Sequence, residues 1–133
     1  WAAAHEACMA SVSSLDEASG CIGICRDACS EDRIRSNQDL ADGQCMTGEA
    51  AQWDARLNRT WAAVKERLAG NPEGLLALTQ AQKAWIAFRD AECAASAAIW
   101  APDGTGAAEA GNCLLSMTAQ RYIELEGIAE GNL

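Results

Sequence analysis

The sequence predicts an all-α domain, an antiparallel three-helix bundle preceded by a Cys-rich helical segment and stapled by disulfides. Three observations carry this. The 133 residues include 29 Ala and only two Val, a composition that favours helix over sheet. Three stretches repeat apolar residues every three or four positions, the helical period. Turn and cap residues stand between them.

Each element follows in order. Ser14-Leu15-Asp16-Glu17 has the capping-box pattern for a short helix running toward Cys21. Cys21, Cys25 and Cys29 are each four apart and would form one stripe on a continuous helix. The first long helix carries Ala50, Trp53, Leu57, Trp61, Val64 and Leu68 on one face. Gly70-Asn71-Pro72 ends it, with Asn71 as N-cap and Pro72 as first residue of the next. The second long helix shows Leu75, Leu78, Trp85, Phe88 and Ile99, and stops before Pro102-Asp103-Gly104. The third is expected from about Asn112, read as its N-cap, through Leu114, Met117, Leu125 and Ile128. Short connections make neighbouring helices antiparallel. The whole chain, 1–133, reads as one domain: a Cys-rich segment, 1–44, and a three-helix core, 45–133.

Charge narrows the partners. Ten Lys and Arg against 19 Asp and Glu give a net charge of −9, which argues against nucleic acid and anionic membranes. It favours a basic protein as partner. No apolar run reaches the ~20 residues of a membrane span. The seven cysteines point to disulfides in an exported protein. With no Met and no hydrophobic leader before Trp1, the chain is expected to be the mature form of an exported protein, its signal peptide removed. No Cys-x2-Cys pair occurs and His5 is the only histidine, so no metal or other cofactor is expected. The Cys21/Cys25/Cys29 stripe lacks a clear fourth ligand.

Folding the long helices about residues 72 and 103 places side chains at equal height. Asp54 falls beside Arg89, Asn58 beside Trp85, Arg121 opposite Trp85, Met117 opposite Arg89, and Cys93 opposite Cys113. The polar members form a layer inside an apolar stripe. Asp54 is the obvious partner for a buried Arg89, and Trp85 offers its face to Arg121. The expected role is structural.

Asp54-Ala55-Arg56-Leu57-Asn58, then Ala81-Gln82-Lys83-Ala84-Trp85-Ile86-Ala87-Phe88-Arg89-Asp90-Ala91-Glu92-Cys93, then Cys113 with Thr118 and Arg121 resemble the LprI-like lysozyme-inhibitor family over about residues 45–126. The Trp85–Cys93 run is the specific part, and Met117 stands where the family has Leu. The resemblance implies an exported bacterial protein, adds Thr118 to the polar layer, and places Cys93 and Cys113 in the family pattern, where they are expected to pair. Cys25 is the cysteine the resemblance leaves over. Two further bridges are then expected among Cys8, Cys21, Cys29 and Cys45, in pairings the sequence leaves open.

No enzyme is expected. A nucleophile needs an adjacent base, and the one histidine lies near the N-terminus. The resulting expectation is a non-enzymatic inhibitor that occludes the cleft of a basic lysozyme. A turn tip enters a cleft more readily than a flat helix face, so Trp100, Asp103 and Glu109 are the candidate contacts. The alternative is a periplasmic interaction or small-ligand module with another partner.

Overall fold

Asn71 and Pro72 start the longest helix as their chemistry requires. Asn71 Oδ1 accepts a hydrogen bond from Gly74 N at 3.0 Å, and Pro72 takes the first helical position. The computed structural model describes residues 1–36 and 42–131. Among these it contains six α-helices and no strand: α1 (Ala2–Ser11), α2 (Leu15–Ala18), α3 (Ile24–Ser36), α4 (Asp42–Arg67), α5 (Pro72–Trp100) and α6 (Gly106–Glu130). Single 3₁₀ turns, Ser19–Cys21 and Ala101–Asp103, link α2 toward α3 and α5 to α6.

The core lies between α4 and α6. Trp53, Leu57 and Val64 meet Ala119, Tyr122 and Leu125, with Cys21 closing the cluster from the N-terminal side. Each large side chain buried there contributes about 1.5–3 kcal/mol. α6 packs against both α4 and α5, whereas α4 and α5 approach each other much less closely. The three long helices therefore splay on one side. Among the described residues α5 packs mainly on α6, so its outer face stays bare. Phe88 and Ile99, expected in the core, are 57% and 66% exposed.

Two starts differ from expectation. α6 begins at Gly106, not Asn112. A Cβ at residue 106 would collide with the Ala97 carbonyl oxygen, so glycine lets the two helices close tightly at their junction. Asn112 sits within the helix, and its Oδ1 accepts from Arg26 Nη1 at 2.7 Å. The cysteine stripe is also broken. Gly23 adopts φ 92°, a left-handed conformation that suits glycine and ends the 3₁₀ turn. Cys21 lies before this break and Cys25 and Cys29 after it, on α3.

The N-terminal segment is tied down by chemistry. Cys8–Cys21 fastens α1 to the 3₁₀ turn, and Cys29–Cys45 fastens α3 to α4. Cys93–Cys113 joins α5 to α6. Cys25 is free and buried, and burial, helped by Glu49, pushes its thiol pKa up. Ser14 accepts from Glu17 N at 3.2 Å, while the Glu17 carboxylate accepts from Ser13 N at 2.8 Å. The reach-back thus lands one residue earlier than in the standard capping box.

Glu49 holds the segment together electrostatically. It is fully buried. Its carboxylate accepts from Gly23 N and Cys25 N at 2.7 Å, Arg26 N at 3.0 Å and Trp53 Nε1 at 3.2 Å. The orphan N–H groups at the start of α3 thereby find an acceptor from α4.

His5 is the second buried polar anchor. Its Nε2 accepts from Arg56 Nε at 2.9 Å, and its ring meets Trp53 edge-on at 4.6 Å. Acceptance at Nε2 places the proton of the neutral ring on Nδ1. Burial, then Arg56, lowers the His5 pKa below 6.5. Below pH 6.5 the unfolded chain therefore binds a proton that the folded chain resists, and stability falls as pH falls. Melting temperatures should be level from pH 8 to about 7 and decline between about 6.5 and 5. The decline should be smaller in His5→Asn; an equal decline would place its origin elsewhere.

Candidate functional site

The splay between α4 and α5 creates a groove. Its main section, about 270 Å³, is walled by Leu57 and Trp61 from α4 and by Trp85 and Ile86 from α5, with Asp54, Asn58, Gln82, Lys83 and Arg89 among them. A second section, about 280 Å³, shares Asp54 and Arg89 and reaches Leu114 and Thr118 on α6.

Of the polar layer expected inside the bundle, Asp54, Asn58, Trp85, Arg89 and Thr118 line this groove. Arg89 Nη1 lies 4.0 Å from Asp54 Oδ1, but the Asp54 side chain is 53% exposed. The pair thus sits at a rim, because α4 and α5 diverge there, and solvent screens it. Arg89 also bonds Asp90 at 3.1 Å and Thr118 Oγ1 at 3.5 Å. Asn58 is exposed, with its Nδ2 3.5 Å from Asp54 Oδ2. The Arg89 and Arg121 guanidinium carbons stand 5.1 and 5.8 Å from the Trp85 ring centroid, both within cation–π range. Arg121 Nε donates to Gln82 Oε1 at 2.8 Å, and its Nη1 to Glu124 at 2.9 Å. Met117 lies with its sulfur 3.8 Å from Cys113 Sγ, against the disulfide.

Gln82 is the residue that sequence reasoning passed over. It is buried at 7% exposure and orients Arg121. Its signal was its place in the Ala81-Gln82 start of the α5 motif, where a polar residue stands on the inward face.

The turn between α5 and α6 is a separate place. Trp100 is 45% exposed at the end of α5, about 16 Å along the helix from Arg89. Asp103 is exposed in the 3₁₀ turn, and Glu109 is half-buried in the first turn of α6. An acid there suits the positive end of the helix. The structure therefore does not bring tip and groove into one site.

Among the described residues, no cluster of His, Cys, Asp and Glu could hold a metal ion. No helix of the described chain is long and apolar enough to cross a membrane. The described residues form a disulfide-stapled, all-α protein with a groove between two of its long helices. The family model described as Lysozyme inhibitor LprI matches residues 25–125, and the chain belongs to that family. The match starts earlier than the motifs alone indicated, taking in α3 and the Cys29–Cys45 bridge. Comparison with curated proteins and with solved structures returns no match.

Proposed function

We propose that this protein is an exported, non-enzymatic inhibitor that occludes the cleft of a basic lysozyme with the α5–α6 turn. The family match over residues 25–125 carries the reading. Three disulfides support an oxidising compartment, the periplasm or the exterior. Trp100 supplies a rigid apolar anchor of the kind enriched in binding hot spots. Asp103 and Glu109 add charge opposite in sign to a basic enzyme, within a chain of net charge −9 that is drawn to it over distance.

A turbidity assay of cell-wall lysis by a basic lysozyme tests this. The wild type should inhibit, and the double variant Trp100→Ala, Asp103→Lys should need about tenfold more protein for the same effect. Circular dichroism confirms that the variant folds. Equal inhibition by the variant would remove the turn as the binding element and make the acidic N-terminal segment the next candidate.

The α4–α5 groove favours a second reading, a module that takes a small ligand between helices. It combines apolar walls with a few convergent polar groups, as ligand pockets do. A wild type that inhibits no lysozyme shifts weight to this reading.

A further inference from the structure

We propose that the outer face of α5 is a self-association surface that pairs the protein with a second copy of itself, helices antiparallel. Among the described residues the face is rich in Ala and unpartnered. Phe88 and Ile99 lie on it, 57% and 66% exposed. A regular seam runs along it. Ala77, Ala81 and Ala84 precede Phe88, and Ala91, Ala95 and Ala98 follow it, at alternating spacings of four and three. All are exposed. This alternation over three heptads is the pattern that seats two helices together, and α5 uses its opposite face for α6 and the groove.

The seam complements itself. Two copies of α5 overlap fully when they run antiparallel about the level of Ile86. Phe88 of each copy then enters the gap beside Ala84 of the other, and Ala77 meets Ala95. Each bulky side chain thus faces a small one, and no charged residue lies on the seam. The area also suffices. α5 has 29 residues, about 43 Å of length, and the seam together with its flanking positions, Gln80 and Glu92 among them, covers about two-fifths of its circumference. Pairing would remove about 600 Å² per copy, about 1,200 Å² in total, where specific interfaces begin. A second copy is therefore the occupant this surface fits. Each copy carries a net charge of −9, so their repulsion is screened by salt and association strengthens as salt rises. Binding to a basic lysozyme has the opposite salt dependence, which keeps the two proposals separable.

Sedimentation velocity from about 1 μM to about 1 mM should show mass rising from 14.0 kDa toward twice that value. Phe88→Lys should stay monomeric with an unchanged melting temperature, since it replaces an exposed side chain. Ala84→Lys provides the same reading at a second exposed position. Orientation is read by mild oxidation of single-cysteine additions. Ala77→Cys and Ala95→Cys should cross-link when mixed, and neither should cross-link alone, since the two positions lie about 27 Å apart along the helix. Self-linking of Ala77→Cys would overturn the antiparallel pairing. A wild type that stays monomeric throughout, a dimer indifferent to both lysine variants, or binding to neutral lipid vesicles in place of dimerisation would overturn the surface itself.

Discussion

Glu49→Ala is expected to cost about 3 kcal/mol or more and to lower the melting temperature by about 10 °C. The carboxylate is fully buried and accepts four hydrogen bonds. Three come from the backbone at the start of α3. Truncation leaves the donors orphaned in the interior, a larger loss than the net worth of any one bond. The Cys29–Cys45 bridge keeps α3 near α4, so the expected damage is local loosening of α3 followed by easier global unfolding. Glu49→Gln keeps one acceptor oxygen in place and should cost about half as much. Hydrogen exchange at Cys25 and Arg26 amides should accelerate in both variants, most in Glu49→Ala. A melting point within about 2 °C of wild type would show that the N-terminal segment does not depend on this carboxylate.

Glu49 also marks where the sequence stops being legible. The helices and the Asn71-Pro72 start of α5 follow from local period and cap chemistry. Local rules see only a few residues, so they read Asn112 as a cap. The actual start of α6 was set by a distant backbone, the Ala97 carbonyl against Gly106. The same limit hid Glu49, which looks like one more surface acid until α3 folds over it, more than twenty residues away in sequence. Antiparallel registry fixes heights along the helices, which is why it sets Asp54 near Arg89 and Trp85 near Arg121. The environment of this polar layer was misjudged because registry says nothing about how far α4 and α5 splay. Asp54 and Asn58 therefore line a groove instead of a core. Phe88 and Ile99 fit a helical period equally well for an inward or an outward face, and the packing of α5 mainly on α6 among the described residues decided between them.

Trp53→Ala should cost about 3–5 kcal/mol, the range for truncating a fully buried large aromatic. The side chain has no exposed surface, and it joins three parts of the molecule. Its indole N–H reaches Glu49 at 3.2 Å, its ring takes the edge contact of His5 at 4.6 Å, and Tyr122 of α6 lies 5.7 Å away. Removing it opens a cavity where α1, α4 and α6 meet and strips the carboxylate of one donor. Trp53→Phe retains most of the packing and loses the N–H, so it should cost about 1–2 kcal/mol. The contact with Glu49 is measurable as a coupling. Combined with Glu49→Gln, Trp53→Phe should lose less than the two single changes added, by about 1 kcal/mol, because both remove the same hydrogen bond. Urea unfolding followed by far-ultraviolet circular dichroism is the suitable probe, since substitution at Trp53 alters fluorescence directly. Strict additivity would mean that the indole and the carboxylate stabilise the N-terminal segment independently. A loss below about 1 kcal/mol for Trp53→Ala would mean that α1 and α6 close the space without it.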